Sequence, residues 1–245
     1  MTDLNQAPPN QAPLNQAPLN PLPPVTWALA LPMIAMEVVV SAGAGGLVGG
    51  PTAIGWRSQA VQDFAFSPDY LRQMLIVQQF PLDGLYRPFT YPFVHLDVTQ
   101  AVFVIVLLLA LGKFVGEVYR WWAVLAVFVA SSLVAALVHT AIPYSHSALI
   151  GGYPPVYGLI GAFTYVNWLR AKILGSGQLR AFRLIGFLLG IRIAFGAFAL
   201  IAYGVDQGAG WDWVAEVAGF ATGFLMSFAV SPGGWDRVLA RIRAR

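Results

Sequence analysis

The chain has 245 residues, of which 58% are hydrophobic and 10% are charged, and its mean hydropathy is +0.66. Because a soluble domain carries about 25% charged residues, this composition excludes an ordinary soluble globular protein and predicts a chain embedded in lipid. The lack of cysteine in the sequence excludes disulfides and thiolate chemistry. The excess charge of +3 lies outside the apolar segments, so it indicates membrane topology and no nucleic-acid partner.

The amino-terminal 24 residues are unlike the rest of the chain. Residues 1–24 repeat Asn-Gln-Ala-Pro three times and end in a proline-rich run. A tract of this composition has no apolar face to bury, so we expect a disordered, partly polyproline-II cytoplasmic tail. The carboxyl-terminal segment 232–245 is rich in arginine, and we expect it to be a basic cytoplasmic tail.

Six apolar segments lie between the tails, each close to the roughly 20 residues that a helix needs to cross hydrocarbon. They are 25–47, 91–112, 121–141, 148–169, 182–204 and 212–231. The connection 48–90 mixes aromatic and polar residues, which predicts a segment that lies flat at the membrane interface. The sequence therefore predicts an all-α membrane domain over 25–231, built as a six-transmembrane-helix bundle.

The distribution of Lys and Arg predicts how this bundle is oriented. If both termini are cytoplasmic, ten of these residues face the cytoplasm and three face the outside, with Arg192 inside the fifth segment. Cytoplasmic loops carry the excess of positive charge in membrane proteins. We therefore expect both termini in the cytoplasm.

Several motifs, in order and spacing, resemble those of the rhomboid intramembrane serine proteases, in particular bacterial rhomboids. The run from Tyr86 to His95 is similar to the Trp-Arg-x-x-Thr motif that leads to a histidine before the second span of that family, with Tyr in place of Trp. Glycines in the fourth and sixth segments match a small-residue stripe that lets two helices approach closely. The matching scaffold residues are Arg87, Thr90, His95, Gly112, Glu117, Gly158, Gly161, Gly219 and Gly223.

The resemblance implies a rhomboid-like bundle in a bacterial inner membrane, but the family's catalytic residues are replaced. A rhomboid needs a serine nucleophile, a histidine base and donors for the oxyanion. In the motif alignment the serine falls at Tyr153 and the histidine at Glu216, and the oxyanion-side histidine and asparagine fall at Gln100 and Val104. We therefore expect a catalytically inactive, pseudoprotease-like protein, a hypothesis that a serine and an imidazole at bonding distance within the bundle would overturn.

Two rebuilt sites stay open as alternatives. Glu216 could act as the base for a Tyr153 nucleophile, although Pro154 and Pro155 have no amide hydrogens to hold an oxyanion. We expect these prolines to place the start of the fourth helix near Pro154 or Pro155, after an extended Tyr153 whose ring partly fills the old active-site hollow. A second cluster, just outside the fourth span, comprises Ser145, His146 and Ser147.

Three charged residues fall inside predicted spans: Glu37, Arg192 and Glu216. A charge at the centre of a span costs about 2.5–3.5 kcal/mol on insertion scales, so each needs a partner. Depth alone permits a Glu37–Arg192 pair, while Glu216 lies about one turn from the outer surface. Their role is either to fix helix packing within the chain or to contact a partner or move protons.

Three functions remain open from the sequence. The favoured one is a non-catalytic protein that binds transmembrane helices of other proteins or forms a subunit of a large membrane complex, with membrane lipids as its other contacts. The second is an active intramembrane serine endopeptidase with a non-standard site, and the third is a transporter that uses the three membrane charges. No cofactor or metal is expected, because the histidines are scattered along the sequence.

Overall fold

A computed structural model describes residues 21–175, 177–203 and 211–234. The predictions for residues 1–20 and 235–245, which make up most of the two expected tails, lie outside these described residues. Within the described ranges the regular elements are helices, and one isolated antiparallel bridge joins Phe66 to Leu149. The expected all-α fold class is confirmed.

The helices run in chain order from an amino-terminal long helix, through a group of short helices, to five further long ones. The α-helices are α1 Pro24–Ala44, α2 Trp56–Phe64, α3 Pro68–Val77, α4 Leu82–Thr90, α5 Val98–Gly116, α6 Trp121–Ala141, α7 Tyr153–Ile173, α8 Arg183–Tyr203 and α9 Asp212–Val230. Short 3-10 helices lie at Gly50–Gly55, Tyr91–Phe93 and Gln178–Phe182.

Six of these helices are long enough to account for the predicted spans. Five of them, α1, α5, α6, α8 and α9, meet both the length and the apolarity that a membrane crossing requires. The sixth, α7, has 21 residues but carries Arg170 and Lys172 in its last turn. Since α7 packs against α5, α6 and α9, it lies inside the bundle, and the chain is a multi-pass membrane protein.

The second and fourth predicted spans differ from the helices in their bounds. The second was expected from residue 91, but Tyr91–Phe93 form a 3-10 turn and α5 begins only at Val98. Asp97 sets this start, because its Oδ1 accepts the amide hydrogen of Gln100 at 2.8 Å. The fourth was expected from residue 148, whereas α7 begins at Tyr153 and continues to Ile173.

The start of α7 also differs in detail from the expected extended Tyr153. Tyr153 is already helical, and the turn lies upstream at Gly151, whose φ is 94°. Glycine tolerates this left-handed conformation, so the chain turns before the prolines. Pro154 and Pro155 then lie in the first turn, where missing amide hydrogens cost little.

The centre of the bundle is a close contact between α7 and α9. A Cβ atom added to Gly223 would lie 1.8 Å from the carbonyl oxygen of Gly158, and one added to Gly219 would lie 2.1 Å from that of Pro154. A Cβ added to Gly161 would lie 2.2 Å from the carbonyl oxygen of Phe220. The glycines of the predicted stripe therefore allow backbone to touch backbone.

The connection between α1 and α5 is helical rather than extended. Its helices are at most 10 residues long, too short to cross the bilayer. Arg87 holds them together by donating to the carbonyl oxygens of Gln62 and Ala65, each at 2.8 Å, and the Thr90 hydroxyl donates to Phe64 O at 3.1 Å. Apolar side chains that stay exposed here include Ile54, Leu75, Ile76, Leu82 and Leu85.

Candidate functional site

The four positions that correspond to the family's catalytic groups meet near the outer end of the bundle. Gln100 comes from α5, Tyr153 from α7 and Glu216 from α9, and all three line a cavity of about 240 Å³. Val104 is fully buried one turn below Gln100, where a Cβ on Gly152 would lie 2.8 Å from its Cγ1. Residues distant in the sequence thus converge on one site.

An ion pair occupies the position where the base would stand. The Arg192 guanidinium of α8 donates from Nε to Glu216 Oε2 at 2.8 Å and from Nη2 to Glu216 Oε1. Glu216 is 2% exposed, whereas the Arg192 side chain is 41% exposed. This two-point geometry is the strong form of a charged hydrogen bond, and it fastens α8 to α9.

The Tyr153 ring lies beneath this pair. The Arg192 guanidinium carbon is 5.7 Å from the ring centroid, within the range of a cation–π contact. Tyr153 is half-buried and fills part of the hollow, as expected, although a cavity remains beside it. With both carboxylate oxygens held by Arg192, Glu216 is poorly placed to take a proton from Tyr153.

The oxyanion side of the site is also occupied by internal hydrogen bonds. Gln100 accepts from the Leu96 amide through Oε1 at 2.8 Å and donates from Nε2 to Ile150 O at 3.2 Å. Nearby His95 is 2% exposed, and its Nε2 has no hydrogen-bond partner among the described residues. Burial lowers the pKa of His95 to about 4 against the opposing effect of Glu37, so its imidazole is neutral at pH 7.

This arrangement of spans and motifs is matched by a family comparison. The rhomboid domain family matches residues 83–233. The chain belongs to the rhomboid family. A comparison with curated proteins gave no match. The match covers the helices from α4 to α9, so in this rhomboid the cavity beside Tyr153 lies within the family's domain.

The remaining membrane charge, Glu37, has a different partner from the one that depth permitted. Arg57, in the interfacial segment, donates to Glu37 Oε1 at 2.5 Å and to Oε2 at 3.0 Å, and the Ser41 hydroxyl donates to Oε1 at 2.6 Å. A Glu37–Arg192 pair is therefore absent from the described part of this rhomboid. The three charges belong to two separate pairs, each of which joins neighbouring helices.

The Ser145, His146 and Ser147 cluster does not form a site of its own. His146 Nδ1 lies 3.0 Å from the Asp69 carboxylate, and the Ser147 hydroxyl donates to Asp212 Oδ1 at 2.7 Å. Partial burial opposes ionisation of Asp69, but hydrogen bonds from His146 and Arg72 lower the pKa of this carboxyl. The three side chains point to three different partners.

Ser145 instead faces His139 at the end of α6. Its Oγ lies 2.6 Å from Nε2 and 3.1 Å from Nδ1 of the imidazole. A serine and an imidazole therefore do lie at bonding distance within the bundle, and the expectation that they would not is wrong. Sequence reasoning paired Ser145 with the adjacent His146 and missed His139, because only the turn after α6 brings these two side chains together.

The environment of this pair is nevertheless structural. His139 Nε2 lies 3.0 Å from the carbonyl oxygen of Ser147. Because a carbonyl oxygen only accepts, this contact assigns the proton to Nε2, which then cannot act as a base toward Ser145. Both residues are fully buried, at 0% exposure, so their side chains are closed to a substrate.

Arg72 holds the same turn in place, and no local sequence signal pointed to it. Its guanidinium donates to the carbonyl oxygens of Thr140 at 3.0 Å, Ile142 at 2.5 Å and Ser145 at 2.9 Å. These carbonyls follow the end of α6, where helical acceptors lack partners. Arg72 therefore fastens the interfacial segment to the turn that leads into α7.

Other scaffold residues lie outside the cavity. Gly112 lies where α1 crosses α5, and a Cβ there would be 2.6 Å from Thr26 Cγ2. Glu117 is exposed just after the end of α5. Among the described residues, no group of three or more His, Asp or Glu is close enough to hold a metal ion.

Proposed function

We propose that this rhomboid is a catalytically inactive membrane protein that binds transmembrane segments of other proteins, as an accessory or structural subunit of a larger membrane complex. The observation that carries the proposal is the Arg192–Glu216 ion pair, stacked on Tyr153, at the place of the family's base and nucleophile. Charged and aromatic groups that satisfy one another there stabilise the bundle and leave no activated nucleophile in the cavity.

The proposed binding surface is the apolar side of α5 and α8. α8 packs on α9 and on the turn before it, and it has no substantial packing against α5 in the described part of the chain. Exposed apolar side chains on these two helices are Val102, Phe103, Val106, Phe187, Phe195 and Phe198. A partner helix could pack here through close van der Waals contacts, which drive helix association in lipid.

The proposed setting is the inner membrane of a bacterium with both termini in the cytoplasm, supported by the ten-to-three distribution of Lys and Arg. Because the chain has no cysteine, single cysteines report topology without background. Ser58→Cys in the interfacial segment should react with an impermeant maleimide from outside, and Gly177→Cys should react only after lysis. The reverse pattern would contradict this orientation.

A cleavage assay tests the inactivity. The purified chain is reconstituted with a membrane-spanning reporter, beside an active rhomboid protease as the positive control. We expect no cleavage. Cleavage that disappears in Tyr153→Phe or Glu216→Gln would establish the non-standard site and overturn the proposal.

The His139–Ser145 contact favours a second candidate, serine hydrolysis at a site distinct from the family's position. Its observation is the 2.6 Å distance between Ser145 Oγ and His139 Nε2. In the same assay, cleavage that is lost in Ser145→Ala and kept in Tyr153→Phe would support this candidate. Equal silence of the wild type and Ser145→Ala would remove it.

Purification in mild detergent tests the binding role. We expect a membrane partner to co-elute in a fixed ratio, and a clean monomer would refute a subunit role. Phe195→Ala, exposed on α8, should weaken the retention of the partner. Leu225→Ala is the matched control, because Leu225 is exposed on α9, away from the proposed surface.

A further inference from the structure

A second cavity lies at the opposite end of the bundle from Tyr153, between the ends of α5 and α7. Its volume is about 420 Å³, within the range of about 300–1,000 Å³ typical of ligand sites. Its walls are apolar below and polar above. They comprise Phe114, Val115, Val118, Phe163 and Val166, with Glu117, Asn167 and Arg170.

The polar and apolar parts of this cavity are arranged along the membrane normal. Glu117 follows the last residue of α5, and Arg170 lies in the last turn of α7. Phe163 is seven residues earlier on α7, which places it about 10 Å deeper in the bundle at a rise of about 1.5 Å per residue. Phe114 and Phe163 form a ring contact, with centroids 5.7 Å apart, that closes this lower part.

The two charges on the rim are opposite in sign and do not neutralise each other. Neither Glu117 nor Arg170 forms an ion pair with any described residue, although both line the same cavity. Both are exposed at the level where the helices leave the hydrocarbon. An arginine binds a phosphate through its fork of N–H donors, and a carboxylate binds a primary ammonium.

We propose that this cavity is a specific site for a zwitterionic phospholipid with a primary amine, of the phosphatidylethanolamine class. The phosphate would contact Arg170, the ammonium would contact Glu117, and an acyl chain would lie against Phe114, Phe163 and Val166. A choline headgroup lacks N–H donors for Glu117, and a glycerol headgroup lacks the positive charge. The charge pattern on the rim therefore selects among lipids that share the same acyl chains.

Native mass spectrometry of the full chain in mild detergent tests this site. The protein is titrated with the dioleoyl forms of phosphatidylethanolamine, phosphatidylcholine and phosphatidylglycerol. We expect the tightest binding for phosphatidylethanolamine. Arg170→Gln should weaken that binding about tenfold or more, since it removes a charge-assisted contact. Glu117→Gln should abolish the preference over phosphatidylglycerol.

Lys172→Gln is the matched control, because Lys172 lies on the same helix over the Trp168 ring and does not line the cavity. It should change the affinity less than about twofold. Equal affinity of the wild type for the three lipids, or an equal loss in Lys172→Gln and Arg170→Gln, would show only non-specific annular lipid and would overturn the proposal. Elution position and circular dichroism check that each variant is folded, and the charge-exchanged Glu117→Arg, Arg170→Glu pair should regain binding.

Discussion

The close contact between α7 and α9 predicts a large penalty for one methyl group. In Gly223→Ala the new Cβ would lie 1.8 Å from the Gly158 carbonyl oxygen, where real Cβ atoms essentially never come closer than 3.0 Å. The two helices must therefore separate by about 1.2 Å at this point. The obstacle is backbone, so no change of side-chain rotamer relieves it.

The expected magnitude follows from two opposing effects. Overpacking of a well-packed core costs about 1–3 kcal/mol, and a backbone clash belongs at the upper end. Alanine restores about 1 kcal/mol through its better helix propensity. The net loss in the free energy of unfolding should be about 2 kcal/mol, which corresponds to a fall in melting temperature of roughly 4–8 °C for a domain of this size.

The assay is the apparent melting temperature of the detergent-solubilised protein, read as loss of the monodisperse peak in fluorescence-detected size exclusion. Gly186→Ala in α8 is the matched control, because nothing lies within 4 Å of its added Cβ. It should leave the melting temperature unchanged or raise it. Equal melting temperatures for Gly223→Ala and Gly186→Ala would refute the close packing of α7 on α9.

Three further predictions concern single side chains. Arg192→Gln should cost about 2–3 kcal/mol, somewhat below the usual cost of breaking a buried pair because Arg192 is partly exposed; addition of Glu216→Gln should recover most of it in a double-mutant cycle, and strict additivity would contradict the pair. As the pH falls from 6.5 toward 4, the unfolded chain binds a proton that buried His95 excludes, so stability should fall by about 3 kcal/mol; denaturation curves should lose this dependence in His95→Gln, and an unchanged slope there would assign it to other groups. Arg72→Lys cannot reach three carbonyls at once and should cost about 2–4 kcal/mol, with earlier proteolysis of the turn between α6 and α7; wild-type protease resistance would show that the turn does not depend on Arg72.

Much of the architecture follows from the sequence because hydrocarbon imposes a strict condition on length and polarity. The span 121–141 coincides with α6. The second span was misplaced by seven residues at its start, since apolarity alone cannot distinguish the 3-10 turn at Tyr91–Phe93 from a helix. Only the cap at Asp97 marks the beginning of α5.

The candidate site divides in the same way. Motif spacing alone identified the four substituted positions, and the structure places Gln100, Tyr153 and Glu216 around one cavity. It did not identify the partners of the charges. Arg57 and Arg192 were assigned to opposite roles by position, and both turned out to neutralise a carboxylate on another helix.

The sequence by itself determined that the chain lies in a membrane, how many long apolar helices it has, and that the family's serine and histidine are replaced. Those properties depend on composition and on local order along the chain. Tertiary structure alone decided that Glu37 pairs with Arg57, that Glu216 pairs with Arg192, and that Ser145 meets His139. Each of these contacts depends on how helices or turns pack, and in a medium that cannot solvate charge, packing decides which groups must satisfy one another.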